Sequence, residues 1–333
     1  MAESKGVAVF GEVSDGSITG PATEMLGKAR ELAEALGEEV IGVVFAGQAG
    51  NAPQEMIAYG ADKVYVAEDA ALAEYNSDVY LTALANLCNE ISPNILLIGH
   101  TIIGRDLAPR LAFRLDTGLG TDCTEISIDP DSKLMVQIRP AYGGNARATV
   151  VVETARPQMA TVRPKAMTPL ERDDSRTGEV VSWQPGVDAS MAKTKIVDRV
   201  QAEAGGMRLE EAPVIVAGGR GIGSVEAFKE LEELAGILRG MVGATRAACD
   251  SGFASPSIQI GITGKVVSPD LYIAVALSGA SQHMSGCLGS KVIVSVNKDP
   301  DANVFKDSQY GAVGDYKEVL PAFVQKCKEL LSS

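Results

Sequence analysis

Histidine is nearly absent from this chain: His100 and His283 are the only two among its 333 residues. A histidine-rich metal centre is therefore excluded, and any chemistry that needs an imidazole has two candidates. Cysteine is scarce as well. Cys88, Cys123, Cys249, Cys287 and Cys327 are odd in number and contain no Cys-x-x-Cys pair. Neither a zinc site nor a disulfide framework is expected, and a reducing cytoplasm suits free thiols. Aromatics make up only 5% of the residues, with Trp183 the single tryptophan. No apolar run reaches the length of a membrane span, and Met1 to Lys5 lead straight into an apolar strand-like segment, so neither membrane insertion nor a signal or transit peptide is expected. Basic charge is in deficit. The formal net charge is −13 and Lys and Arg are scattered, which argues against nucleic-acid binding, since phosphate contacts need clustered cations. The acidity serves solubility or docking on basic partners.

What remains is a composition rich in small apolar residues, 46% hydrophobic with 35 glycines, which is that of an α/β protein long enough for two domains. The first half alternates short apolar runs with amphipathic stretches. Val7–Phe10, Val40–Phe45, Lys63–Val66 and Ile95–Gly99 read as strands, and Pro21–Leu36, Pro53–Tyr59 and Asn76–Ile91 as helices. In the first of these helices Met25, Ala29, Leu32 and Leu36 share one face. That is the rhythm of βαβ units on a parallel, doubly wound sheet.

From Cys123 the pattern changes to short strands, Glu125–Ile128, Met135–Ile138, Ala148–Glu153 and Met159–Val162, joined by turn residues such as Asp129-Pro130-Asp131 and Tyr142-Gly143-Gly144-Asn145. They are expected to form an antiparallel appendage. Thr168–Glu203 shows little periodicity and reads as a linker or arm. A second α/β unit starts with the strand Val214–Ala217 and a helix capped by Ser224, continues with strands Leu271–Leu277 and Val292–Val296, and closes with a helix over Glu318–Leu331. The expectation is therefore two domains, residues 1–199 and 200–333, each on a mainly parallel doubly wound sheet, the first carrying the appendage.

Chemistry concentrates in the second half. Gly218-Gly219-Arg220-Gly221-Ile222-Gly223 lies between a strand and a helix, where bare backbone N–H groups can meet an anion. It is either a plain tight turn or a phosphate cradle in which Arg220 adds a guanidinium. Val242–Asp250 places Thr245 and Arg246 among small residues; Arg246 either pairs with Asp250 or serves a ligand that becomes negative. Gly261-Ile262-Thr263-Gly264-Lys265 lacks the spacing of a nucleotide-hydrolysing P-loop, so ATP hydrolysis is not supported. Pro269–Gly286 is a buried strand that ends in small residues, Ser278-Gly279-Ala280, and then presents Gln282 and His283. That is the ligand-binding edge of an α/β sheet, although a lone histidine there also suits a purely structural bond. Asn297-Lys298-Asp299 follows the next strand on the same edge.

Taken together, Pro269–Ala274 with Ser278-Gly279-Ala280, Gln282-His283 and Asn297-Lys298-Asp299 resemble the alpha-subunit signature of electron-transferring flavoproteins. The Gly-Gly-Arg-Gly, Gly-Ala-Thr-Arg-Ala-Ala and Thr-Gly-Lys elements occur in that family's order. Gly104-Arg105-Asp106, Arg139–Gly144 and Arg163-Pro164 extend the resemblance over nearly the whole chain.

The resemblance implies an electron carrier, not an enzyme, with no catalytic residue and no metal. One FAD is held noncovalently by the C-terminal domain, and the N-terminal domain packs on a beta subunit to give a heterodimer. Arg220, Ser278, Gly279, Asn297 and Asp315 would hold the pyrophosphate, ribityl and adenosine portions. Arg246 would lie over the flavin ring, Thr263 at N5, His283 at the O2 and N1 edge, and Gln282 beside it. Thr245, Gln259, Gly264, Ala280 and Lys298 complete the implied set. Expected partners are acyl-CoA dehydrogenases or other donor and acceptor proteins, with an electron-bifurcating complex as a variant. Ile262 stands where the family commonly has Gln, and Ala276 and Ser281 replace the usual Gly and an aliphatic residue. A pyridine-nucleotide oxidoreductase and a non-redox nucleotide-binding subunit are the competing readings of the same glycine-rich turns.

Overall fold

A computed structural model describes residues 4–142, 146–197 and 208–331. The chain divides into two compact units, Met1–Ala141 with Arg147–Val200, and Tyr142–Ala146 with Gln201–Ser333. The turn at Gly143–Asn145 and the expected boundary near residue 200 lie outside the described residues.

In the first unit the elements run β1 (Val7–Gly11), a small antiparallel hairpin of β2 (Val13–Ser14) and β3 (Ser17–Ile18), α1 (Gly20–Leu36), β4 (Val40–Ala46), α2 (Ala52–Ala58), β5 (Lys63–Glu68), α3 (Ser77–Ile91), β6 (Ile95–Gly99) and α4 (Ile102–Arg114). Then follow β7 (Leu119–Cys123), β8 (Glu125–Ile128), β9 (Met135–Ala141), β10 (Ala146–Val150), β11 (Gln158–Val162) and β12 (Glu179–Ser182). Seven strands form one sheet in the order β12-β5-β4-β1-β6-β11-β7, every neighbour parallel.

Helices cover both faces, so β1, β4, β6 and β11 are buried along their whole length; the first three read as apolar runs, while β11 also buries Gln158 and Thr161. Alternation along β1 shows the two layers. Val7 and Val9 pack with Met25 and Leu32 of α1, whereas Ala8 and Phe10 pack with Leu84 of α3 and Leu107 of α4. α1 ends at Gly37, whose left-handed φ of 69° lets Glu38 donate back to Ala33 O at 2.9 Å. α3 begins at Asn76, whose Oδ1 accepts the Asp78 N–H at 3.1 Å.

Two expectations need correction here. Met159–Val162 is not part of the antiparallel appendage. It is β11, inserted between β6 and β7 with Met159 opposite Leu96 and Leu119. The appendage is a three-stranded sheet of β8, β9 and β10, in which β8 and β9 pair antiparallel across the turn held by Asp129. The stretch read as a linker also contributes structure. Its β12 lies parallel on the β5 edge, Glu179 opposite Lys63, and Trp183 stacks on Phe45 at 6.1 Å while donating its indole N–H to Glu90 at 2.9 Å. An extra strand on that edge shields β5, whose open hydrogen bonds would otherwise invite another chain.

Glu24 of α1 provides a local test of packing. Its carboxylate accepts the Met167 N–H at 3.4 Å, and burial pushes it up to about 7 from an ordinary 4.5. The folded state then binds the proton more tightly than the unfolded one, so this residue subtracts stability as pH rises through 4.5–7. Glu24→Gln is expected to raise the urea midpoint at pH 8 and to leave it nearly unchanged at pH 4. Equal shifts at both pH values would show that Glu24 is not protonated preferentially in the fold.

The second unit runs β13 (Val214–Gly218), α5 (Val225–Ile237), β14 (Met241–Thr245), α6 (Arg246–Asp250), β15 (Gln259–Ile260), β16 (Leu271–Val275), α7 (Ser281–Met284), β17 (Val292–Asn297), β18 (Tyr310–Val313) and α8 (Tyr316–Leu331). Its six strands are all parallel in the order β15-β14-β13-β16-β17-β18. Ser224 caps α5 through an Oγ that accepts the Ala227 N–H at 3.2 Å. β16 stops two residues earlier than its apolar run suggests, because Ala276 turns to a φ of 52°.

Candidate functional site

The second sheet reverses direction between β13 and β16. From β13 the chain builds outward through β14 to β15 and then returns to β16 on the other side of β13. Adjacent loops leave such a switch point in opposite directions and open a crevice at the carboxyl ends of the strands. In this unit the crevice is a cleft of about 890 Å³, within the size range of small-molecule and cofactor sites.

Its floor depends on two close backbone approaches. After β13 the Gly219 N–H donates to Val275 O at 2.9 Å and the Gly221 N–H to Ala276 O at 3.2 Å. A Cβ at Gly219 would stand 2.3 Å from Ala276 O, so a side chain there would push the Arg220 turn off the β16 end. Ala276 itself holds a left-handed φ, a conformation costly for a residue with a Cβ and concentrated at functional sites.

The structure brings most of the expected site residues to this cleft. Arg220 lines it after β13, Thr245 at the end of β14 with Arg246 just beyond, and Thr263 after β15. Ser278, Gly279, Ala280, Gln282 and His283 line it after β16, and Asn297 at the end of β17. Thr245 caps α6, its Oγ1 accepting the Ala248 N–H at 3.3 Å. Arg246 is 67% exposed and reaches Asp250 with its Nε at 3.4 Å. An exposed pair of this kind holds a side chain only weakly, so the ion pair and a ligand role coexist. Asn297 staples two loops: its amide donates to Leu277 O at 2.8 Å and its carbonyl accepts the Asp299 N–H at 2.9 Å.

Other expected residues are placed elsewhere. Gln259 donates its amide to Thr263 Oγ1 at 3.0 Å, and Gly264 closes the same turn with its N–H on Gly261 O at 3.0 Å. Lys298 is exposed between two residues that line the cleft. Asp315 accepts the Lys317 N–H at 3.0 Å at the start of α8. Lys265 of the P-loop-like stretch pairs with Glu210 at 3.0 Å. Sequence reasoning passed over Asp301 and Asn303, which line the cleft with Asp299. The polar run that follows β17 was the available signal.

His283 is buried, 6% exposed, and both of its ring nitrogens are engaged. Nδ1 lies 3.0 Å from Ile260 O and Nε2 lies 2.9 Å from the Tyr272 hydroxyl. Burial pulls its pKa down to about 4, so the ring is neutral at physiological pH. Among the described residues no group of three or more metal-ligating side chains converges, and no helix is long and apolar enough to cross a membrane.

The donor set suits a dinucleotide. Two accessible guanidiniums, Arg220 and Arg246, match anionic groups. Ser278, Asn297, Asp299 and Asp301 offer hydrogen bonds to sugar and ribityl hydroxyls. Gly279, with a φ of 74°, lets backbone approach where a Cβ would meet Val304 N at 2.2 Å. These features define a doubly wound α/β protein that holds a large anionic cofactor at its switch point.

The comparisons with known proteins make that class specific. Residues 7–187 match the family model of the electron transfer flavoprotein domain, and residues 208–288 match that of the electron transfer flavoprotein FAD-binding domain. The chain is 43% identical over 330 residues to the electron transfer flavoprotein subunit alpha of Thermoanaerobacterium thermosaccharolyticum, covering 99% of this chain and 100% of that one. It is 44% identical to the subunit alpha of Megasphaera elsdenii, with 99% and 98% covered, and 43% identical to that of Bacillus subtilis, with 98% of each covered. The chain belongs to the electron transfer flavoprotein alpha subunit family: an FAD-binding electron carrier, not a catalytic enzyme.

Proposed function

We propose that this chain carries FAD in residues 200–333 and, through residues 1–199, pairs with a beta subunit to relay electrons in the cytoplasm from acyl-CoA dehydrogenases to acceptor proteins. The observation that carries the reading is the switch-point cleft with Arg220 and Arg246 both facing it. Arg220, Ser278, Gly279, Ala280 and Asn297 hold the pyrophosphate, ribityl and adenosine portions, with Lys298 and Asp315 at the periphery. Arg246, Thr263, Gln282 and His283 surround the ring, supported from behind by Thr245, Gln259 and Gly264.

FAD, when bound, supplies the oxidation and reduction. The protein's own part is electrostatic and geometric. Fixed cations beside a group that gains negative charge lower the energy of the reduced state without reorganisation. Thr263 is fixed by its bond from Gln259, so a hydroxyl stands ready at a constant position. Use within an electron-bifurcating complex is a variant of this function, decided by the cofactor of the beta subunit.

The test is anaerobic reduction of the co-expressed heterodimer, with its cofactor identified by chromatography after heat release. FAD that bleaches on addition of an acyl-CoA dehydrogenase and its substrate supports the reading. Bleaching by NADH, with two flavins per heterodimer, assigns the bifurcating variant. Recovery of FMN alone, or of NAD without flavin, overturns the site.

A further inference from the structure

We infer that the first unit carries a small-molecule site of its own, a pocket at the carboxyl edge of its sheet built to take an uncharged nucleoside, a flat base with its ribose and no phosphate. The site is separate from the cleft of the second unit and does not rest on the FAD reading of that cleft.

The pocket has a volume of about 510 Å³ and opens over the ends of β1 and β4. Four segments wall it: the β2–β3 hairpin, the end of β4, the turn after β5 at Ala70–Leu72, and Tyr80 of α3. The carboxyl edge of a parallel sheet is where α/β folds hold their ligands, and a concavity of this size suits one. β1 is also where this sheet changes direction, since the chain builds outward through β4 and β5 and returns at β6 on the other side.

The walls are fixed without a ligand. The Asn51 N–H donates to Gly16 O at 2.8 Å, which bolts the hairpin tip to the loop after β4. Gly50 permits that approach, because a Cβ there would lie 2.8 Å from Gly16 Cα and O. Gly47 permits a second one, where a Cβ would meet Ala73 Cα at 3.0 Å. The Tyr80 hydroxyl donates to Leu72 O at 2.8 Å, and Asp69 accepts the Ala71 N–H at 2.8 Å. A pocket already held open binds without the cost of ordering it.

Charge decides what fits. Arg220 and Arg246 match an anion in the second unit's cleft, but no lysine, arginine or histidine lines this pocket among the described residues, and its one carboxylate is Asp15. A phosphate would be desolvated beside that carboxylate with no cation to meet it. Phe45, Leu72 and Tyr80 are buried and give the pocket apolar and aromatic surface, to which the flat face of a base is suited. The Tyr80 hydroxyl is already engaged, so this side offers ring and aliphatic surface only. Asp15 and Gln48 stand exposed at the rim. A carboxylate accepts the hydroxyls of a ribose, the pairing acidic residues make in dinucleotide sites, and an amide both donates and accepts. Apolar surface within and an acid with an amide at the mouth thus match a base inside and its ribose outside.

The experiment is photoaffinity labelling of the co-expressed heterodimer with 8-azidoadenosine, the adduct being located by digestion and mass spectrometry. Label is expected on peptides that contain residues 45–48 or 70–80. Adenosine in excess is expected to prevent it, with AMP about tenfold less effective because its phosphate goes unpaired beside Asp15. Ala70→Phe adds a ring at an exposed position of the wall and is expected to abolish the label. Asp15→Asn should raise the adenosine concentration needed for protection about tenfold, the worth of one charge-assisted hydrogen bond. Adducts confined to other peptides of either subunit overturn the proposal, as do adducts at residues 45–48 or 70–80 that excess adenosine leaves in place or that AMP prevents equally well. If Ala70→Phe fails to assemble, Asp15→Asn decides, and unchanged protection by adenosine in that variant overturns the site.

Discussion

Arg246→Ala is expected to lower the first reduction potential of the bound flavin by about 60–130 mV while leaving the fold intact. A charge-assisted contact contributes about 1.5–3 kcal/mol, and at ~59 mV per tenfold for one electron this converts to that range. The residue is 67% exposed and its ion pair with Asp250 is long and solvated, so its removal costs the fold little. Arg246→Lys should recover part of the shift, since charge returns without the planar fork. Spectroelectrochemical titration of parent and variants is the measurement. A flavin-loaded alanine variant with the parent potential would show that Arg246 serves Asp250 and not the cofactor.

Gly279→Ala is expected to be the most damaging single-methyl change in the cleft. The residue has a φ of 74°, and an added Cβ would lie 2.2 Å from Val304 N and 2.4 Å from Val304 Cα, backbone atoms that cannot swing aside. Left-handed strain of about 1–2 kcal/mol and overpacking of about 1–3 kcal/mol add to roughly 2–5 kcal/mol. Thermal midpoint and flavin content should fall together. Gly236→Ala is the control: it lies in α5 with open space at its Cβ, and alanine there should stabilise by up to about 1 kcal/mol. Similar midpoints for the two variants would show that the loop at Gly279 yields easily.

The parallel sheets were legible because their central strands are buried on both faces and appear as uninterrupted apolar runs, as at Val40–Ala46 and Leu271–Val275. Among the features that escaped, three show the physical reasons most clearly. β12 is four residues long, too short for any periodicity, and owes its place to β5 far back in the chain. β11 looks like its hairpin neighbours locally, and only tertiary pairing with β6 and β7 places it in the large sheet. α4 carries Pro109 in its interior, which interrupts the helical signal.

At the cleft, the glycine turn around Arg220 and the Ser278–His283 stretch followed from strand–turn–helix logic alone. The inclusion of Gln259 and Asp315 came from family resemblance; Gln259 bonds the cleft residue Thr263, Asp315 accepts a bond at the start of α8, and Lys298 stands exposed between two lining residues. Whether His283 turns its nitrogens to a ligand or to the protein was beyond local reading, because Ile260 and Tyr272 reach it from other strands.

The lone tryptophan gives the chain a built-in optical reporter with a narrow field of view. Trp183 is 8% exposed, stacked on Phe45 and bonded to Glu90 at the foot of the arm that supplies β12. Its indole emission therefore reads the docking of that arm on the first unit's sheet. A red shift during unfolding or digestion marks the arm lifting away and baring the β5 edge, the step that turns a well-shielded sheet into a template for aggregation.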